Sequence, residues 1–311
     1  IGTAIQGVAH AELSFQGALP YAQERRSMRA LSGKKEPEQV ADALIWHPDV
    51  RRMLLTQKAI AEGGRAMVYG AAKIADQMFN AVTEGDQAKY KKYDDELGFY
   101  TPILKGFLTE MGLEAANLGI QVFGGHGYIG EHGMEQIARD ARISTLYEGT
   151  TGIQALDLLG RKVLLNTKGK CVRDFSATML RLIKPYSLQR TPMGQMMRTL
   201  ARRTAQWNVL TTLIMLRASK DREQVGSSSV DYLMYSGFVM MAYFWALQAS
   251  KAAELFASGK GKESNDFYTA KIQTAEFYFA RLLPRADGHY SAALAPTSAV
   301  MQMPQELFQM A

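Results

Sequence analysis

The sequence predicts an all-α protein built from two helical units, and three observations carry that prediction. Strong helix formers (Ala, Leu, Met, Gln, Lys and Arg) are plentiful while prolines number nine. Apolar residues recur at three- and four-residue spacing along most of the chain. The length of 311 residues exceeds one typical domain and suggests about two. A hydrophobic share of 47% with 21% charged residues gives enough apolar material for a sizeable core, which excludes a disordered chain. No repeat of fixed period points to a solenoid.

Taken in order, Ile5, Val8, Ala9, Leu13 and Leu19 predict a first helix from the first residue to about Leu31. No starting Met or cap precedes it, so the sequence reads as a piece of a longer chain. Residues 32–37 break the pattern, and Pro48-Asp49 opens a second helix whose stripe (Met53, Leu54, Gln57, Ile60, Ala61) starts a run to about Val82. Glu84-Gly85-Asp86 and the charged residues 89–96 read as a polar link. Leu104, Phe107, Leu108, Met111, Ala115 and Leu118 then describe a third helix. A fourth, from Thr151 to about Val163, completes a four-helix bundle over residues 1–168. Polar residues 166–170 mark the boundary. Beyond it, roughly residues 194–219, 229–258 and 264–283 predict a second, smaller helical unit over residues 169–311.

Charge and cysteine content narrow the function classes. The net charge of +6 is uneven: residues 1–155 hold 16 basic and 19 acidic side chains and residues 156–311 hold 20 and 11, so the halves carry −3 and +9. Such a half fits a phosphate-bearing partner or a solvated basic face. The single cysteine, Cys171, excludes an internal disulfide and favours a reducing compartment, so a cytoplasmic location is expected. The first 18 residues lack a basic leader and contain His10 and Glu12, unlike a signal peptide. The one long uncharged run, residues 232–250, includes Ser236, Gly237 and Gln248 and reads as a buried core helix rather than a membrane span.

Two segments have the composition of a site. The glycines of Gly124-Gly125-His126-Gly127 let backbone N–H groups approach a phosphate or sugar closely, and they suit a tight turn equally well. Glu148, between helices and flanked by Leu146, Tyr147 and Ile153, suits proton abstraction if its setting is apolar, because desolvation raises a carboxyl pKa. A plainer reading makes it an acid at a helix start capped by Thr150 or Thr151. No metal is expected: His126 and His132 lack ligand spacing and no cysteine or carboxylate completes a set. No Ser/His/Asp or Cys/His arrangement is present.

Residues 121–128 (QVFGGHGY), 138–143 (ARDARI), 146–154 (LYEGTTGIQ) and 21–27 (YAQERRS) together resemble the C-terminal helical domain of the acyl-CoA dehydrogenases, in the family's order. The resemblance spans about residues 1–165. The tail resembles the extra helical domain of a subgroup with longer polypeptides that includes the methylmercaptopropionyl-CoA dehydrogenases. What it implies is an FAD enzyme oxidising an acyl-CoA thioester, with Glu148 removing the α-proton and the β-hydrogen leaving to flavin N5. Tyr147 and Gly149 would position the substrate loop. Arg25 and Ser27 would contact the FAD pyrophosphate, Gln121, Gly124 and Gly125 the adenosine portion of a neighbouring subunit's flavin, and Thr150 the flavin of its own subunit. Implied partners are an electron-transfer flavoprotein and further copies of the chain, as a dimer or tetramer. The family's N-terminal helical and middle β domains lie outside these residues, so catalysis by this chain alone is not expected. Met28-Arg29 replaces the family's frequent Phe-Gly, and Gly152 stands where many members carry a polar side chain.

The competing class is a family relative that binds nucleic acid through the basic half and the row Arg198, Arg202 and Arg203, with Trp207 the nearest aromatic. A third reading gives the tail a purely structural role, its apolar face (Met234, Phe238, Met241, Phe244, Trp245) packing on the first bundle or on a second subunit.

Overall fold

The computed structural model describes residues 1–309, and among these no β-strand occurs; one isolated antiparallel bridge joins Arg26 to Ala43. The helices in chain order are α1 (Gly2–Glu24), α2 (Pro48–Thr83), α3 (Gln87–Phe123), α4 (Gly125–Tyr128), α5 (Met134–Ser144), α6 (Thr151–Leu156), α7 (Lys170–Ile183), α8 (Pro192–Ala218), α9 (Glu223–Ser258), α10 (Asn265–Phe277), α11 (Ala286–Ala293) and α12 (Ser298–Met301). α6 runs on as a π-helix, Asp157–Asn166, and α10 as another, Tyr278–Leu282.

Local chemistry explains the boundaries. Pro48 and Pro192 occupy the first turns of α2 and α8, where a missing N–H breaks no intrahelical bond. Asp86, Thr191 and Ser264 cap α3, α8 and α10 by accepting from Lys89, Gly194 and Phe267 amides at 2.9, 3.1 and 3.2 Å. Pro102 lies inside α3 and has no N–H for the Gly98 carbonyl, which instead accepts from the Thr101 hydroxyl at 3.5 Å.

Several expectations need correction. α1 ends at Glu24, not near Leu31, because the chain turns extended at Arg25 and residues 27 and 28 pair with residue 42: Ser27 N–H donates to Asp42 O and Asp42 N–H to Met28 O, at 3.1 and 2.9 Å. The charged residues 89–96 are not a link but the first turns of α3, where solvated pairs such as Lys91–Asp95 (3.3 Å) replace an apolar stripe. α5 and α7 were not anticipated, and α9 starts six residues before the expected Ser229.

α1, α2 and α3 pack together, with α6 lying along α3. Backbones touch where α1 crosses α3: a Cβ on Gly7 would sit 2.2 Å from the Leu108 carbonyl oxygen, and one on Gly112 would sit 2.4 Å from that of Gly7. α9 is the axis of the second half. α8, α10 and α11 surround it, and it also lies against α2, α3 and α6. One hydrophobic cluster therefore runs from Ala4 to Ala293. The face anticipated for packing indeed meets the first bundle: Trp245 Nε1 donates to the Ala59 carbonyl at 3.1 Å, and the Phe107 and Phe238 rings meet edge to face with centroids 5.0 Å apart. Gly63 leaves the space for Trp245, since a Cβ there would lie 2.5 Å from the indole nitrogen. Ion pairs at the edge tie the halves as well, Lys271 to Glu62 at 2.8 Å and Arg285 to Glu114 at 2.7 Å. No helix of the described residues is long and apolar enough to cross a membrane.

Candidate active site and nucleotide-binding residues

The Glu148 loop joins α5 to α6 in an unusual backbone conformation. Glu148 has φ 52° and Gly149 φ 91°, two successive left-handed residues of which only the glycine is free of a Cβ penalty. Among the described residues, no backbone–backbone hydrogen bond holds residues 148 and 149. Side chains do so instead. Gln154 Nε2 donates to the Glu148 carbonyl at 3.0 Å, and Lys105 Nζ on α3 donates to the Gly149 carbonyl at 2.6 Å. The Thr3 hydroxyl of α1 donates to Glu148 Oε2 at 2.6 Å, and Tyr147 OH donates to the Gln6 side-chain oxygen. Thr150 caps α6 by accepting from Ile153 N–H at 3.4 Å.

Of the two settings open to Glu148, the apolar enclosure is not found among the described residues. Leu146 and Ile153 flank the loop, but both are exposed, Ile153 by 57%, and the carboxylate stands at the surface beside them. From Thr151 a groove of about 710 Å³ runs along α3 past Glu110, Glu114 and Asn117 to Gln121, with Val230 and Met234 of α9 as its other wall.

The glycine turn and the arginine segment meet at the far end of the same helices. Tyr21 stacks on Phe123 (centroids 3.9 Å apart) and its hydroxyl contacts His126 Nδ1 at 2.9 Å, so the end of α1 lies against Gly124, which ends α3 at φ 61°. A Cβ at Gly124 or Gly125 would meet nothing within 4 Å, which leaves that face open. Three arginines lie beyond α1, and two are used internally: Arg26 pairs with Glu36 at 2.8 Å and Arg29 with Asp42 at 3.2 Å. Arg25 and Ser27 are exposed, and neither side chain has a hydrogen-bond partner among the described residues.

Sequence reasoning missed Asp42, which organises this segment. It is 0% exposed and accepts from the backbone N–H groups of Ala30, Lys35 and Glu36 at 2.8–2.9 Å. The Ala30 bond is foremost among the causes that hold its carboxyl far below the usual aspartate range. A depressed pKa gives stability that is present above the unfolded value and lost on acidification. The 26–42 segment is therefore expected to lose this stabilisation progressively as pH falls below about 4, and to open only as Asp42 itself becomes protonated well below that; in Asp42→Asn it is expected to open at neutral pH, read by hydrogen exchange of residues 26–41. Unchanged exchange in the variant would remove Asp42 from this role. Lys105 was also passed over, although a lone lysine inside the apolar run 102–108 was a visible signal.

The basic row dissolves on inspection. Arg203 is buried and gives both terminal nitrogens to Asp287, while Arg198 donates to the Ser187 and Gln189 carbonyls at 3.2 and 2.8 Å. Arg198 and Arg202 are exposed but Arg203 is not, and Arg198 is held to the backbone of its own chain, so the three do not form a free basic row and the support for a nucleic-acid interface falls away. No group of three or more His, Cys, Asp or Glu side chains is placed to hold a metal ion among the described residues.

Comparison with known proteins adds a second kind of finding. A family model described as "Acyl-CoA dehydrogenase, C-terminal domain" matches residues 1–164, and one described as "Acetyl-CoA dehydrogenase C-terminal like" matches residues 172–304. The chain is 36% identical over 287 residues to the 3-methylmercaptopropionyl-CoA dehydrogenase of Ruegeria pomeroyi, an alignment covering 92% of this chain and 47% of that protein. It is 28% identical over 160 residues to the CarC subunit of the caffeyl-CoA reductase-Etf complex of Acetobacterium woodii, covering 51% of this chain and 35% of that protein. Its fold matches the acyl-CoA dehydrogenase from Bacillus anthracis solved with FAD, with a TM-score of 0.72 at 16% identity over 94% of this chain and 48% of that one. The chain thus spans about half the length of the relatives it matches.

Proposed function

Because the chain belongs to the acyl-CoA dehydrogenase family, we propose that it supplies the C-terminal part of an FAD-dependent enzyme that oxidises an acyl-CoA thioester to the trans-2-enoyl-CoA, with Glu148 as the base. The observation that carries this reading is the Glu148 loop: a carboxylate presented at the surface on a left-handed backbone that side chains from α1, α3 and α6 hold in place. Such strain is characteristic of functional positions.

The thioester carbonyl acidifies the adjacent C–H, and a fixed carboxylate is the residue type to receive that proton. FAD, when bound, supplies the acceptor for the β-hydrogen and its electron pair at N5. Tyr147 and Gly149 shape the loop that faces the substrate. Thr150, next in the chain, borders the flavin of the same subunit. The exposed flanks of Leu146 and Ile153 become apolar walls once the remaining half of the protein covers them, which restores the desolvated setting that a carboxylate base needs.

The residues at the other end fit a dinucleotide. The unpaired Arg25 guanidinium and Ser27 hydroxyl suit a pyrophosphate, and Gln121 with the open Gly124 and Gly125 suits an adenosine. Arg25 lies 22 residues along α1 from Thr3, roughly 33 Å at about 1.5 Å per residue. That separation supports a reading in which Glu148 and Arg25 serve different flavins, each flavin being shared by two chains of an oligomer. Electrons leave to an electron-transfer flavoprotein. Residues 1–168 form the catalytic bundle, and residues 169–311 form the additional domain, which contributes packing.

The test is the visible spectrum of the full-length protein during anaerobic addition of acyl-CoA thioesters. A flavin band that bleaches is the expected result. A protein that carries flavin but does not bleach with any of a series of chain lengths would overturn the reading.

A further inference from the structure

We propose that Lys105 is a positioning residue for the Glu148 base: it fixes the loop through the Gly149 carbonyl. The inference rests on the reading of Glu148 as the base. Lys105 is 7% exposed, between Leu104 and Gly106 in the buried part of α3, where a charged side chain is rarely found unpaired. Its ammonium has no carboxylate within ion-pair distance among the described residues; its one hydrogen-bond acceptor is the Gly149 carbonyl, at 2.6 Å. A buried lysine spent on a single backbone carbonyl is a poor way to stabilise a helix. It is an effective way to fix a loop, because that carbonyl belongs to the second of the two left-handed residues and receives no backbone hydrogen bond.

The electrostatics run in the same direction. Burial pushes the Lys105 ammonium below the usual lysine range, while Glu110 and Glu148 pull it back up. The groups that face this pair are few. α3 provides Glu110, whose Oε1 already accepts from Thr151; α1 provides the Thr3 hydroxyl and α6 the Gln154 amide; Tyr147 of the loop is turned to Gln6. Gln154 and Lys105 hold successive carbonyls from two different helices, which fixes the backbone that carries the carboxylate.

The role is tested by substitution in the full-length, flavin-loaded protein. Lys105→Gln and Lys105→Arg keep a donor for the carbonyl; Lys105→Met removes it. Two readouts are needed: hydrogen exchange of the peptide 146–154, and the rate of acyl-CoA-driven flavin reduction. Exchange is expected to rise in the Met variant and to stay near wild type in Gln and Arg. Flavin reduction is expected to slow by about tenfold or more in Met, where the loop and its carboxylate are released, and to be rescued in Gln and Arg. Bound flavin should be unchanged throughout. A wild-type reduction rate in the Met variant overturns the proposal, as does unchanged exchange in that variant. Glu148→Gln run alongside distinguishes the other failure: if it still reduces the flavin, the base has been misassigned, and exchange in the Lys105→Met variant then decides whether Lys105 holds the loop.

Discussion

Glu148→Gln in the full-length protein is expected to bind flavin normally and to lose roughly 10²- to 10⁴-fold in the rate of flavin reduction by acyl-CoA, the range typical of a general base. The substitution isolates the proton acceptor. The hydrogen bonds that shape the loop fall on the main-chain oxygens of residues 148 and 149, and a glutamine side chain leaves them untouched. Its amide oxygen also remains an acceptor for the Thr3 hydroxyl. What disappears is the capacity to take up a proton. Stopped-flow loss of the flavin band reads the result directly, and a wild-type rate in the variant would exclude Glu148 from the chemistry.

Trp245→Ala is expected to produce the largest loss of stability of any single truncation considered, about 3–5 kcal/mol for an aromatic removed from a closed core, with the flavin spectrum of the remaining folded protein unchanged. The indole is fully buried in the middle of α9, and its N–H satisfies the Ala59 carbonyl across the interface with α2. The alanine variant leaves both a cavity and an altered acceptor. Chemical unfolding monitored by circular dichroism measures the loss. A stability within 1 kcal/mol of wild type, or a stable protein with a perturbed flavin band, would contradict the purely structural role of this face.

The helical class, the bundle and the core character of residues 232–250 were legible because periodicity and composition report burial. What was hidden had physical causes. The start of α3 carries solvated charges in place of an apolar stripe, and a polar stretch at residues 166–170 masked α7, although Val172, Phe175, Ser176, Met179 and Ile183 keep perfect helical spacing. The loop motif around Glu148 was legible as a resemblance, yet its degree of exposure was not, because walls contributed by distant chain segments leave no local trace. Asp42 and Lys105 were missed for a related reason. Each acts on backbone atoms distant in sequence, 12 residues away at Ala30 and 44 at Gly149, and a side chain bound to main-chain atoms imposes no residue type on its partner. The arginine row shows the converse: charges that look free in sequence were already committed, Arg203 to an aspartate 84 residues on.

The contact between Trp245 and Ala59 also sets a schedule for biosynthesis. The two residues are 186 positions apart, so the face of α2 that receives the indole is made long before its cover exists. At roughly 5–20 residues per second the ribosome needs roughly 10–40 s to bridge that gap. During that interval the nascent bundle presents Ala59 and Gly63, and later the Phe107 ring, to solvent as an adhesive stripe, and the emerging chain has to be kept from sticking to its neighbours until α9 arrives.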